Sequence, residues 1–141
     1  MHHIITTTIG TIKIKTHNDK IISARFIKQI KNTSESDITK SLTDYLNGQP
    51  LKHKCKLTGT FFQIKVWKQI QKIPYGETRT YSDIAIAIGR PNSYRAVANA
   101  CGQNKIALFI PCHRVIGKTN VGGYKWGPEI KQKLIELETQ P

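Results

Sequence analysis

A chain of 141 residues with 38% hydrophobic content can bury the core of one domain or of two small ones. It holds no apolar run of about 18 residues, so no membrane span is expected. Twenty-two Lys and Arg stand against nine Asp and Glu, a formal net charge of +13. Such an excess suits polyanions, nucleic acid ahead of membrane, because no basic amphipathic anchor is present. Cys55, Cys101 and Cys112 cannot all pair, and their spacing is no disulfide framework. The start, Met1-His2-His3-Ile4, lacks the charged-then-apolar pattern of a secretory signal. A reducing, cytoplasmic setting is expected.

Residues 4–30 have β character. Ile9, Ile12 and Ile14 precede the turn signal Thr16-His17-Asn18-Asp19, and Ile21 to Phe26 follow it, predicting a hairpin with room for one more strand. His2, His3 and His17 read as surface histidines, since no Cys or His partner stands at ligand spacing. Ile38, Leu42, Tyr45 and Leu46 recur at helical spacing and predict a helix over 37–46, with Thr33, Ser34 and Ser36 as candidate caps. Asn47-Gly48-Gln49-Pro50 ends it, and the basic segment Lys52 to Lys56 reads as a linker. The expected domains are therefore 1–55, a short hairpin-and-helix part, and 56–141.

Thr60 caps a second predicted helix whose Phe62, Val66, Trp67 and Ile70 share a face, read as core, before Ile73-Pro74. A turn through Gly76 to Tyr81 leads into a third helix, Ser82 to Ile88. Gly89-Arg90-Pro91-Asn92 breaks it, and Ser93 is positioned to cap a fourth helix reaching about Gly102. Two short helices joined by a Gly/Pro turn read as a helix-turn-helix. The small residues of the second, Ala96, Ala98 and Ala100, suit close approach to a groove, and equally suit tight core packing. A last helix starts at Pro128, a favoured first helical residue, with Ile130, Leu134, Ile135 and Leu137 as its apolar positions. Glu138 near its C-terminus opposes the helix dipole; a solvated carboxylate is the default there.

Ile110-Pro111-Cys112-His113-Arg114-Val115 places a nucleophile beside a base. Thiolate, not thiol, attacks, and an imidazole can take the proton directly or through a water. Pro111 fixes φ and holds the cysteine at a bend. The apolar run Ile106 to Ile110 has strand-like length, and the segment with Gly117, Gly122, Gly123 and Gly127 reads as a loop. Read from the residues alone, Cys112 is a reactive thiol or a small buried hydrophobe.

Pro-Cys-His-Arg-Val resembles the signature of the O6-alkylguanine-DNA alkyltransferases. The likeness extends through residues 59–141, including Gly59 to Trp67, Gly76 to Tyr81, Arg95-Ala96-Val97, Asn104 and Gly122 to Gly127. It implies an α/β (α+β) protein: a small β-rich N-terminal part, then a mostly helical domain with a winged-helix-like helix-turn-helix. It implies transfer of the alkyl group from O6-alkylguanine in DNA, irreversibly and once, to Cys112, with O4-alkylthymine left open as a substrate. In that resemblance His113 is the base acting through a water, Glu138 orients it, and Asn104 braces the turn. Tyr81 hydrogen-bonds the guanine. Arg95 fills the gap left by the flipped base, with Thr80, Ala96, Ala98 and Asn99 on the DNA. Pro111, Val115, Tyr124 and Lys125 line the pocket, and backbone groups at Cys112, Val115 and the lid read the guanine edge. Cys112 is then expected to be partly ionised at neutral pH beside a cationic His113. The implied partner is double-stranded DNA carrying alkylated guanine, bound by a monomer with no membrane, no cofactor and no metal. Lys105 stands where the family usually has proline, and Cys101 has no assigned role.

Three rivals differ at single features. A non-catalytic binder of alkylated DNA would lack the nucleophile, which Cys112 supplies. A thiol hydrolase would need an oxyanion site and would have no purpose for the basic helix pair. A plain helix-turn-helix regulator would not need the Cys-His pair.

Overall fold

The computed structural model describes residues 1–28, 33–34 and 36–140. They form two compact units. The first comprises Met1–Lys56 with Lys105–Phe109, and the second Leu57–Asn104 with the chain from Ile110 onward.

In the first unit, β1 (His2–Thr6), β2 (Thr11–His17) and β3 (Lys20–Ile27) make an antiparallel sheet in that order. Ile12 and Ile14 are buried while Lys13 and Lys15, between and beyond them, are not, the period-two pattern of a sheet with one covered face. The hairpin turns on Asn18 and Asp19, both left-handed at φ 49° and 63°. Two consecutive left-handed residues match the twist of the strands, and Asn and Asp tolerate them best. The end of the β-rich stretch read as 4–30 lies outside the described residues.

Helix α1 (Asp37–Leu46) packs against β1, burying Leu42 and Tyr45. Of the three candidate caps only Ser36 serves, in a reciprocal box with Thr39. Ser34 and Thr33 instead bond the edge strand, accepting from Ile4 N at 2.8 Å and Thr6 N at 3.2 Å.

Three readings change here. His3 is buried, not on the surface, its Nε2 3.3 Å from Thr16 Oγ1. The supposed linker pairs with β3: Ile21 N donates to Lys54 O, and Lys56 N to Ile21 O. The run Ile106 to Ile110 is buried throughout but is no strand. One bridge joins Ile106 to Ala24, and Leu108 then turns left-handed at φ 72°. Hydrophobicity reports burial of that run, not its backbone path.

The second unit contains α2 (Phe61–Ile70), β4 (Arg79–Thr80), α3 (Tyr81–Ala87), α4 (Tyr94–Gly102), a 3₁₀ turn (Cys112–Arg114), β5 (Val115–Ile116) and α5 (Pro128–Thr139). Helices α2, α3 and α4 pack mutually, and α5 and α2 close on the 3₁₀ turn. Thr60 caps α2 in a box with Gln63, and Thr80 caps α3 in a box with Asp83. Each such cap is worth about 1 kcal/mol. The Thr80 cap starts α3 one residue earlier than the sequence predicts. Ser93 precedes α4 but makes no side-chain cap bond. Trp67 is core as expected, its indole donating to Ala100 O at 2.9 Å. β4 and β5 pair in parallel, Arg79 with Val115 and Thr80 with Ile116, tying the entry of the helix pair to the segment after Cys112.

Candidate active site

Pro111 sits at φ −80° and ψ 63°, and Cys112 N donates to Ile110 O at 2.8 Å across it. That is an inverse γ-turn, which the proline ring favours. Asn104, wholly buried, braces it: Nδ2 donates to Ile110 O at 3.0 Å and to Cys112 Sγ at 3.3 Å. Lys125 Nζ in turn donates to Asn104 O at 3.2 Å. The brace holds with Lys105 following Asn104, because it is made by the asparagine side chain.

His113 is completely buried, and its Nε2 lies 2.6 Å from Glu138 Oε2. Glu138 is only 5% exposed, so the default of a solvated carboxylate fails at this position. Arg114 grips the same carboxylate with two bonds, Nε to Oε1 at 2.7 Å and Nη2 to Oε2 at 3.0 Å, and donates Nη1 to Ile73 O at 2.9 Å. Burial alone would push the Glu138 carboxyl up, but the bonds and charges of His113 and Arg114 outweigh it and hold the pKa at about 2. Glu138 is thus ionised and can only accept.

Burial pushes His113 below the usual imidazole value, against the pull of Glu138. Burial likewise pushes the Cys112 thiol well up, reinforced by Cys101 and opposed by Asn104 and Lys131. Burial thus works against the expected thiolate–imidazolium pair, because a buried ion pair must recover the desolvation of both members. With Nε2–H donating to Glu138, the lone pair is on Nδ1, which is buried and has no hydrogen-bond partner among the described residues.

Lys131 was not anticipated. Its Nζ donates to Val115 O at 2.6 Å and Gly123 O at 2.9 Å and lies 3.5 Å from the Tyr81 hydroxyl. Burial lowers its pKa to about 8, against the opposing pull of Cys101 and Cys112. The buried stripe of α5 is Lys131, Leu134 and Glu138, not the run of Ile and Leu that hydrophobicity suggests. Two charged residues at helical spacing about one leucine were the available signal. Arg114, within Pro-Cys-His-Arg-Val, is a further site residue that the sequence alone does not single out.

A pocket of about 310 Å³ is lined by Tyr81, Cys101, Cys112, Gly123, Tyr124 and Lys125, among others. Burial, with Cys101 and Cys112 nearby, pushes the Tyr81 phenol up to about 12, so it stays a donor at neutral pH. Tyr124 packs edge-on to His113, ring centres 6.5 Å apart, and its buried hydroxyl has no partner among the described residues. Gly122 is left-handed at φ 78°, and a Cβ there would stand 2.6 Å from the Tyr81 hydroxyl. Pro111 and Val115, expected in the pocket wall, are buried and are not among its lining residues. The Cys112 N–H is consumed by the γ-turn, and the Val115 carbonyl already accepts from Lys131, leaving one lone pair there.

Arg95, Ala96 and Asn99 are exposed on α4, and Ala98 is half-buried and lines the pocket. The Arg95 guanidinium lies 5.8 Å from the Tyr94 ring centre. Thr80 is half-buried with its hydroxyl engaged in the α3 cap. In the second unit Cys112 and Tyr81 line one pocket, Asn104 bonds the Cys112 sulfur, His113, paired with Glu138, follows Cys112 directly in chain, and Arg95 stands on an exposed helix face.

Residues 61–140 match the family model described as the DNA-binding domain of 6-O-methylguanine DNA methyltransferase. The chain is 52% identical over 96% of its length to the "Probable methylated-DNA--protein-cysteine methyltransferase" of Acanthamoeba polyphaga mimivirus, covering 94% of that protein. It is 37% identical over 92% of its length to the methylated-DNA--protein-cysteine methyltransferase of Metallosphaera sedula, covering 86% of that one. Its fold matches the crystal structure of Mycobacterium tuberculosis OGT in complex with DNA at a TM-score of 0.87, with 36% identity, spanning 97% of this chain and 92% of that one. With the nucleophile turn, the buried His–Glu pair and a match along nearly the whole chain, this protein belongs to the 6-O-methylguanine DNA methyltransferase family.

Proposed function

We propose that this protein repairs DNA by moving the alkyl group of O6-alkylguanine onto its own Cys112, once per molecule. The observation that carries this is the bare, buried Nδ1 of His113, held by the ionised Glu138 next in chain to a pocket-lining thiol. Chemistry begins with the Cys112 proton passing to Nδ1 through one water. The thiolate then attacks the alkyl carbon, the C–O6 bond breaks, and its electron pair stays on the guanine. Tyr81, a neutral donor, hydrogen-bonds the departing base and offsets the charge developing on it. Imidazolium formed in the step is stabilised by Glu138, which is why that carboxylate needs Arg114 to keep it ionised. The thioether product has no water-labile bond, so the reaction is stoichiometric.

A guanine inside a duplex cannot reach a pocket, and extruding it costs about a few kcal/mol. The exposed helix pair supports DNA as the partner, with Arg95 entering the vacated stack and Thr80, Ala96, Ala98 and Asn99 along the strand. The formal charge of +13 draws the phosphates. Every group in the proton path belongs to one chain, so a monomer suffices, and a free acceptor thiol suits a reducing cytoplasm. Among the described residues no helix is long and apolar enough to cross a membrane. The test is mass spectrometry after mixing with excess O6-methylguanine duplex. One methyl on Cys112 followed by arrest is expected; methyl on Cys55 or Cys101, or sustained turnover, overturns the assignment.

A further inference from the structure

Cys101 is the one nucleophile at the pocket that alkyl transfer does not use. It lies in the last turn of α4, three residues after Ala98, so both face the cavity, which Cys112 also lines. Both thiols line the same cavity of about 310 Å³, and the nearness of Cys101 reinforces the upward push on the Cys112 thiol. Cys101 is half-exposed and Cys112 buried, so a small solute meets Cys101 first. Lys131 lies near both sulfurs, and its charge opposes the burial that pushes the Cys112 thiol up. Asn104, between them in sequence, already holds the Cys112 sulfur in place.

We propose that Cys101 is the peroxide-reactive partner of the acceptor thiol: with a peroxide as oxidant, Cys101 and Cys112 close a disulfide that reversibly withdraws Cys112 from alkyl transfer. The Cys101 sulfur attacks the peroxide, the O–O bond breaks, and Cys101 becomes a sulfenic acid while its thiol proton leaves with the other oxygen as water or alcohol. The Cys112 sulfur then attacks the Cys101 sulfur, and the hydroxyl leaves as water with the Cys112 proton. The sum is two thiols and one peroxide giving one disulfide, and with hydrogen peroxide two waters. A dithiol restores both cysteines by exchange, itself becoming the disulfide. The bond also keeps Cys112 from the sulfinic acid, which a thiol reductant does not reverse. The inference rests on Cys112 being the acceptor, but its first readout does not.

The experiment exposes the reduced full chain to hydrogen peroxide, blocks free thiols, and maps peptides without reductant. Trypsin cleaves after Lys105, between the two cysteines, so a cross-linked pair is distinct from either peptide alone. A Cys101–Cys112 cross-link with Cys55 free is expected, the intact mass falling by about 2 Da. Methyl acceptance from an O6-methylguanine duplex should fall at least about tenfold and return with dithiothreitol. Cys55→Ser should behave the same. In Cys101→Ser, scored against its own reduced activity, prolonged peroxide should leave Cys112 as sulfinic acid and the loss should persist after dithiothreitol. Cys112 sulfinic acid with Cys101 still free in the unaltered chain, a cross-link through Cys55 alone, or equal recovery in Cys101→Ser would each overturn the pairing. If the cross-link forms in a chain that accepts no methyl when reduced, the pairing stands and the repair function fails.

Discussion

Nε2 of His113 lies 2.6 Å from Oε2 of Glu138, and this contact decides which ring nitrogen carries the proton. An ionised carboxylate only accepts, so Nε2 donates and Nδ1 keeps its lone pair for the substrate side. The Arg114 fork makes that arrangement stable by keeping Glu138 ionised despite burial.

Glu138→Gln should therefore slow alkyl transfer about ten- to a hundredfold, the range seen when a partner orienting a functional histidine is lost. DNA affinity at fixed salt should not change. His113→Ala combined with Glu138→Gln should be no slower than His113→Ala alone, because the two act as one unit. Single-turnover transfer to Cys112 measures all three. Full additivity would show that Glu138 acts elsewhere.

Stability should fall as pH drops, in two stages with the same sign. The folded pKa of His113 lies below its unfolded value of about 6.5, so the unfolded chain takes up that proton first and stability declines from about pH 6.5. Glu138 at about 2, below its unfolded value, adds stability that is lost as pH falls from about 5 toward 2. Urea midpoints across this range check it. Glu138→Gln should be less stable at pH 7 and flatter below pH 5, by about 3 kcal/mol or more at neutrality because Arg114 is left buried without its partner.

Lys131 joins three parts of the site, through Val115 O, Gly123 O and the Tyr81 hydroxyl. Lys131→Met keeps the length and removes the charge. Transfer should slow by about tenfold or more, with Kd for unmodified duplex unchanged, since losing a charged hydrogen bond to buried carbonyls costs about 1.5–3 kcal/mol. In the unaltered chain the rate should bend downward near pH 8 as this lysine loses its proton, and the bend should be absent in Lys131→Met. A bend that survives the substitution belongs to another group.

Gly122→Ala and Gly123→Ala form a matched pair. A Cβ at Gly122 meets the Tyr81 hydroxyl at 2.6 Å and is strained at φ 78°, whereas nothing lies within 4 Å of one at Gly123. The first should cost about 1–3 kcal/mol of stability and displace Tyr81, slowing transfer. The second should be near neutral. Thermal melts and transfer rates separate them.

Arg95→Ala should slow repair in duplex DNA far more than reaction with free O6-benzylguanine, because the free base needs no extrusion. Equal losses on both would place Arg95 in the chemistry and not in the duplex.

Local elements are legible from neighbouring residues alone. Helix α1 runs over the residues that periodicity marked, and Thr60 caps α2 as its side chain dictates; capping and period depend on neighbours within a few positions. The nucleophile and its neighbour were legible too, because Pro111-Cys112-His113 is contiguous. The surroundings of those groups come from packing between segments far apart in the chain. Glu138 stands 25 positions from His113, and nothing local distinguishes it from a solvated helix-end carboxylate. Lys131, which no local pattern singles out, is buried because two backbone carbonyls and a phenol converge on it from other segments. Protonation states likewise follow from burial: the same Cys-His pair in water would ionise far more readily. Desolvation and long-range hydrogen bonds are properties of the packed chain, and they set both the resting proton of His113 and the company that Cys112 keeps.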